Sequence, residues 1–502
     1  MTARFTLAEL PEATKSRAIN LPRFTNERFS ISTDSRKLSA DNVFLPLVGD
    51  RFDGHDFLSS LSEQGVSIAF CERRYYDAHP TAKETFANVT LLLVEDTLDA
   101  LQDLARFHRK RSSAKIIGLT GSSGKSTMKE YLFHVFKQAH QTQATFGNHN
   151  NDIGVAQTLL AIEADTEIAI VEMGMRGLGQ IRRLTKMAEP DLGLLINIGP
   201  AHIELLGTLE NTAIAKCELV EGVKSTLVSN GDDPYLEARL AETPLTHLTH
   251  LRYHLKDAQN KVALPDGTFQ FTVKGVDFKS PLPGEHQVSN LLGVITVANA
   301  FGLSTQAVAD ALASFASQSG RFERVDLGNG NTLINDAYNA NPTSMKASLD
   351  AFFASTLEPH QARVLILGSM KELGDASPVY HADVVESVKG AKDLRAVVLI
   401  GEEWQGLPLP KTSAIYADTE GFLQALQASQ VQALNALDAK ETIAYFLKGS
   451  RFHALERLIP SLESYKNLGE SLQLSSSSSL RSHASPMAGY ARRRDTSSDG
   501  AS

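Results

Sequence analysis

Short apolar runs alternate with amphipathic stretches along most of the chain. The runs at 115–119 (KIIGL), 167–171 (EIAIV), 192–198 (LGLLINI) and 226–228 (TLV) read as buried strands. The segments between them have helical spacing. After Lys125, residues Met128, Tyr131, Leu132, Val135 and Phe136 fall at i, i+3, i+4, i+7 and i+8, one face of a helix. Strands that alternate with helices imply a mostly parallel sheet covered on both sides, so the expected fold class is α/β.

The pattern changes twice. Residues 1–112 are turn-rich, as in VGDRFDGHDF (48–57), and close with the amphipathic TLDALQDLARFHRKR (97–111). The polar pair Ser112-Ser113 precedes the strand that begins at Lys115. A second change falls near Gly320-Arg321. Beyond it NTLIND, RVLILGS and AVVLIGE are strand-like, with helical stretches such as PTSMKASLDAFFAS between them. A chain of 502 residues is long for one core. The expected domains are 1–112, 113–318 and 319–470, followed by a tail at 471–502. That tail holds eleven serines, four arginines and two aspartates and almost nothing able to form a core, so it is expected to be disordered.

At 42% hydrophobic and 21% charged residues the composition is that of an ordinary globular protein. A net charge of -9 argues against a general nucleic-acid binder but leaves small anions open, because a few local donors can hold a phosphate. The two cysteines, Cys71 and Cys217, lie far apart and give neither a disulfide framework nor a zinc spacing. The start, MTARFTLAELPEATKS, lacks a signal-type apolar stretch, and no run long enough to span a membrane occurs. A cytoplasmic protein is expected.

GLTGSSGKST (118–127) joins a buried strand to the amphipathic helix. Gly121 and Gly124 allow a tight bend that turns the amides of Ser122, Ser123 and their neighbours toward a phosphate. The helix N-terminus adds its positive end, and Lys125 a mobile cation for the β and γ oxygens. Ser126 or Thr127 can present a hydroxyl to magnesium. Leu119 stands where the full phosphate-loop pattern has its first glycine, so the loop alone says only that a nucleoside triphosphate is bound.

Ligands of open parallel sheets bind beyond the carboxyl ends of the strands, and two more strands end usefully on that edge. EIAIVEMG places Glu172 there, a hard donor suited to magnesium. LLINIGPAHIE places His202, whose imidazole alone would hint at a softer metal. A helix-capping carboxylate and a loop histidine bonded to backbone are the plain alternatives. For Lys216, in NTAIAKCELV, the residues by themselves give only a solvated charge on a helix.

These segments, with TFGNHNNDIGVAQTLL (145–160), VEMGMRGLGQI (171–181) and AIAKCEL (213–219), resemble the central domain of the Mur ligases. STDSRKLSADNVFLPLVGDRFDGHDF (32–57) is similar to their UDP-sugar-binding domain. NDAYNANPTSM (335–345), LGSMKELGD (367–375) and LKGSR (447–451) are similar to their C-terminal, Rossmann-like domain. The resemblance covers about 1–470 in the family's order and implies a three-domain architecture with a central phosphate-loop ATPase. GN-x-NN-x-IG, DAYNANP and KGSR point within the family to the step that adds D-alanyl-D-alanine to UDP-N-acetylmuramoyl-tripeptide. NANP stands where a diaminopimelate-adding member carries DNPR. Another amide ligase of this type, adding the third peptide residue or glutamate to folate, is the alternative.

The resemblance implies ATP and two magnesium ions. It implies that Lys216 is carbamylated by CO2, becoming an anionic ligand that shares one ion with His202, while Glu172 and Ser126 serve the ion nearer the phosphates. It places Asn290 at the adenine, Asp336, Tyr338 and Asn339 over the nucleotide, and Arg321 at the domain boundary reaching the nucleotide. Asp34, Ser35 and Arg36 are expected to hold the uridine diphosphate, and Asn148, Asn150 and Asn151 to lie on the substrate side. Lys125, Lys216 and His202 are the expected catalytic residues. Gln287, His149 and Ser369 depart from the family's usual residues. No nucleic-acid partner is expected, and the chain is expected to be a monomer.

Overall fold

The computed structural model describes residues 1–20, 27–79, 86, 88–317, 319–355, 361–435, 437 and 441–465. The serine- and arginine-rich tail lies outside the described residues. Three six-stranded sheets organise the rest.

In the first sheet four parallel strands, Arg28–Ser32, Asn42–Phe44, Ile68–Glu72 and Thr90–Val94, are flanked by antiparallel edge strands Arg4–Thr6 and Arg17–Ile19. Helix Thr97–Arg111 then leads toward the second sheet. Asp96 caps it by accepting from the Asp99 amide, and four basic residues, His108 to Arg111, sit in its last turn, where the carbonyl end favours cations. Its Leu101, Leu104 and Ala105 are fully buried at i, i+3 and i+4. They share one core with Phe5 and Ile31 on one side and with Val155 and Ile181 on the other. A fully buried leucine contributes about 1.5–3 kcal/mol, so this helix welds the first unit to the second.

The second sheet is wholly parallel, in the order Thr249–Tyr253, Thr226–Asn230, Leu192–Leu195, Lys115–Thr120, Ile168–Glu172, Thr142–Ala144. Its strands send alternate residues to two cores. Ile116, Ala169 and Val171 face one; Ile117, Leu119, Ile168 and Ile170 face the other. That two-sided burial is why these strands read as unbroken apolar runs. Helix Lys125–Phe136 buries Met128, Tyr131, Leu132, Val135 and Phe136, the face its spacing predicts. From Lys115–Thr120 the chain first builds strands on one side and then crosses to the other. The carboxyl end of this strand is therefore the switch point, where a crevice opens.

A three-stranded antiparallel sheet, Gln259–Ala263, Phe269–Val273 and Val276–Lys279, follows. The sequence patterning gave no expectation for it. The third six-stranded sheet runs Glu323–Gly328, Asn331–Asn335, Ile443–Lys448, Ala362–Gly368, Leu394–Ile400, Ser413–Tyr416, with only the first strand antiparallel. The α/β expectation holds. Among the described residues no helix is long and apolar enough to cross a membrane.

Candidate active site

The loop after Lys115–Thr120 is pressed from two sides. A Cβ on Gly121 would stand 2.8 Å from Ile196 Cβ. Gly124 has a left-handed φ of 75°, and a Cβ there would meet Asn290 Oδ1 at 3.2 Å. Glycine is needed at both positions, at the second for φ as well as for space. Helix Lys125–Phe136 starts with no side-chain cap, so its first-turn amides remain for an anion. Asn197 holds the loop open beside it: its Oδ1 accepts from the amides of Ser122 (3.0 Å) and Ser123 (2.9 Å).

Two lysines meet behind this loop. Lys125 Nζ donates to the Gly121 carbonyl at 2.7 Å, and Lys216 Nζ donates to the same oxygen at 3.0 Å. Burial lowers the Lys125 pKa, partly offset by Glu172. Lys216, 2% exposed, is held well below the lysine range by burial and then by the charge of Lys125. Two ammonium groups on one carbonyl repel each other, and the burial of Lys216 weakens the solvent screening of that repulsion. Lys216 is the one driven toward the neutral amine.

Strand Ile168–Glu172 ends on Glu172, which is 1% exposed. Asn150 Nδ2 donates to Glu172 Oε1 at 2.8 Å. Oε2 has no hydrogen-bond partner, although Lys129 Nζ stands 3.7 Å away. Lys129 is itself buried and donates to the Gly147 carbonyl at 2.8 Å.

The third sheet supplies the opposite wall. Asp336, just past strand Asn331–Asn335, accepts from Lys448 Nζ and from Ser348 Oγ, each at 2.6 Å, and from the Phe322 amide at 3.1 Å. The Arg321 guanidinium lies over the Tyr338 ring, 4.0 Å from its centroid. Asn341 Nδ2 crosses to donate to the Ser122 carbonyl at 3.1 Å.

Between these walls lies a cavity of about 770 Å³. Ser122, Ser123, Gly124, Lys125, Ser126, Thr127, Asn148, Asn150, Asn151, Glu172, His202, Asn290, Arg321, Asp336, Tyr338 and Asn339 all line it. Lys216 and Gly121 are not on its lining; they back the loop. Asp34, Ser35 and Arg36 are also elsewhere, in the first unit. There Arg36 grips Asp34 through two bonds of 2.8 and 3.0 Å, which hold the Asp34 carboxyl down at about 2. Asn151 caps helix Asp152–Leu160 by accepting from the Gly154 amide. Sequence reasoning assigned no role to Lys129, Asn197, Asn341 or Lys448. Asn197 lies in LLINIGPAHIE, Asn341 in NDAYNANPTSM and Lys448 in LKGSR, and Lys129 lies one helical turn past Lys125, so the sequence marks their positions but not their partners.

Residues 30–109, 119–298 and 320–451 match, in turn, the family models "Mur ligase family, catalytic domain", "Mur ligase middle domain" and "Mur ligase, glutamate ligase domain". The UDP-N-acetylmuramoyl-tripeptide–D-alanyl-D-alanine ligase of Bacillus subtilis (strain 168) is 37% identical over 359 residues, 70% of this chain and 76% of that protein. The chain belongs to the Mur ligase family. The crystal structure of MurF from Acinetobacter baumannii superposes with a TM-score of 0.79 at 27% identity, covering 92% of this chain and all of that one. MurF ligase from Thermotoga maritima in complex with ADP superposes at 0.73 and 26%, covering 88% and 98%. This Mur ligase accordingly has the three-domain α/β architecture and is an ATP-dependent amide ligase.

Its departures from the family pattern have structural roles. Gln287 Oε1 accepts from Tyr131 and from Asn290, so it braces the residue packed on Gly124. His149 stacks edge-on against Phe146. Ser369 is fully buried with its Oγ 2.7 Å from His453 Nε2.

Among the described residues no three His, Cys, Asp or Glu side chains form a ready-made metal cage. Magnesium needs none, because it is usually held by one or two carboxylates, substrate phosphates and water. The orphan Oε2 of Glu172, on the same cavity wall as Ser126, fits that need. Lys216 fits a second ion only if its amine is converted to an anion.

His286 also lines the cavity, and burial lowers its pKa to about 4 from 6.5. The unfolded chain binds this proton first as pH falls, so folded stability drops from pH 6.5 to about 4 and is fully present above 6.5. His286→Gln should remove on the order of 2 kcal/mol of that acid loss. Urea midpoints of the two proteins at pH 7 and pH 4.5 test this; parallel losses would refute it.

Proposed function

We propose that this chain joins D-alanyl-D-alanine to UDP-N-acetylmuramoyl-tripeptide in the cytoplasm, forming the pentapeptide precursor of peptidoglycan. The observation that carries the reading is the single cavity bounded by the loop Ser122–Thr127 on one side and Asp336–Asn341 on the other, tied by the Asn341–Ser122 bond. The names of the relatives and structures reported above agree with it. We place the domain boundaries at 112/113 and 318/319, and read the enzyme as a monomer.

A terminal carboxylate oxygen of the tripeptide attacks the γ-phosphorus of ATP. The bond from that phosphorus to the bridging oxygen breaks, and ADP leaves. The amine of D-alanyl-D-alanine then attacks the acyl carbon, inorganic phosphate departs with the bonding pair, and the amine loses a proton. Activation is required because a carboxylate is a poor electrophile. Lys125 and the loop amides would hold the β and γ phosphates, with Arg321, Asp336, Tyr338, Asn339 and Asn290 around the rest of the nucleotide. Asp34, Ser35 and Arg36 would bind the uridine diphosphate, and Asn148, Asn150 and Asn151 would border the peptide. Two magnesium ions, when bound, neutralise phosphate charge; Ser126 and Glu172 would hold one, His202 and a carbamylated Lys216 the other. Closure of the third domain keeps water from the acyl phosphate.

An acceptor panel with labelled D-alanyl-D-alanine, single amino acids and glutamate tests the substrate. Incorporation of the dipeptide alone is expected. Incorporation of a single amino acid onto a shorter muramoyl peptide, or of glutamate onto folate, would refute the assignment.

A further inference from the structure

Glu372, in LGSMKELGD, does not line the cavity, yet it joins the third unit to the second. Its Oε2 lies 2.6 Å from His202 Nδ1 and its Oε1 lies 3.5 Å from Arg176 Nε. The Glu204 amide donates to the Glu372 carbonyl at 3.3 Å. His202 and Glu372 both have left-handed backbones, φ 57° and 64°. Residues with side chains keep that conformation only where their surroundings enforce it. The enforcement is visible beside them. Ile203, 9% exposed, packs among Met345, Met370 and Leu373 of the third unit, and Gly374 comes so close that a Cβ there would stand 3.1 Å from Glu204 Cγ.

We propose that Glu372 is a positioning residue that latches the third domain onto the central one and, by taking the Nδ1 side of His202, leaves Nε2 to serve the cavity. A metal-bound imidazole is commonly oriented by a carboxylate on its other nitrogen. Here that carboxylate comes from a different domain, so His202 is set for a cation only when the domains are shut. This second half rests on the reading of His202 as a magnesium ligand; the latch does not. His202 Nδ1 has no partner within hydrogen-bond angles, so the present approach is a charge contact that a small turn of the ring would align. Arg176 is largely exposed and Glu372 half-buried, so solvent screens the pair and keeps the latch weak enough to release.

The test uses the full chain carrying fluorophores at Asp165→Cys and Lys411→Cys, exposed positions on the two domains, since both native cysteines are buried. Glu372→Ala is expected to shift the label distances to longer values and lower the closed population by about two- to fivefold, with Glu372→Gln in between. With a non-hydrolysable ATP analogue, the second Mn2+ per chain, followed by electron paramagnetic resonance, should bind about tenfold more weakly in Glu372→Ala. Unchanged distances in Glu372→Ala overturn the latch. Longer distances with an unchanged Mn2+ isotherm overturn the positioning of His202. If His202→Ala opens the domains but still binds two Mn2+, the ligand reading of His202 fails while the latch stands.

Discussion

Lys125→Ala is expected to abolish ADP formation in the presence of both substrates, a fall in kcat of about 10³-fold or more. Two other lysines nearby are committed. Lys129 is bonded to the Gly147 carbonyl and paired with Glu130 at 3.3 Å. Lys448 is bonded to Asp336. Only Lys125 sits at the helix N-terminus with a long stem and a single strong contact, the Gly121 carbonyl, which it can exchange for a phosphate oxygen. Lys125→Arg should not restore the rate, because a planar fork cannot occupy the space of a compact ammonium. The fold should survive: burial already disfavours the charged form of Lys125, so the alanine variant should melt at or above the parent temperature. Undiminished ADP release by a properly folded Lys125→Ala would remove the phosphate role from this loop.

Much of this architecture was readable because burial on both faces leaves an unbroken apolar signature. The strand at Lys115–Thr120 and the helix at Lys125–Phe136 lie where the pattern puts them, and helix Thr97–Arg111 coincides with its amphipathic stretch. The sheet at 259–279 escaped notice because its strands are short and half exposed, so no apolar run marks them. The placement of a site residue was legible wherever it follows from its own strand or turn, as with the loop glycines after Lys115–Thr120 or Glu172 at the end of Ile168–Glu172. A role was not legible where it comes from a partner far away in the chain. Asn341 reaches Ser122 across 219 positions, Asn197 reaches it across 75, and Glu372 meets His202 across a domain boundary. Local patterning contains no trace of such pairings. Lys216 shows the limit most sharply: a helical lysine looks solvated in sequence, and only its burial behind Gly121 makes it chemically unusual.

Lys216→Ala is expected to be as damaging as the loss of Lys125, although Lys216 is not itself among the residues that line the cavity. Its amine is pushed well below the lysine range by burial and by Lys125, which favours the neutral form. A neutral amine is the form that adds to CO2: the nitrogen pair bonds to carbon, one N–H proton is released, and a carbamate anion results. That change would reverse the local electrostatics, since two amines crowd one carbonyl before it, whereas an anion then faces the Lys125 ammonium. It also converts a group that repels a divalent cation into one that attracts it. Turnover should therefore fall about 10³-fold or more in Lys216→Ala and, for the parent enzyme, decline when CO2 and bicarbonate are stripped from the buffer and recover when they are returned. Native mass spectrometry should find the parent heavier by one CO2 and the variant not. Removal of a buried amine should not unfold the helix Leu209–Cys217, because Ala213, Ala215 and Cys217 still anchor it. Normal turnover by a folded Lys216→Ala would leave the second cation without its anionic ligand, and the carbamate would have to be abandoned.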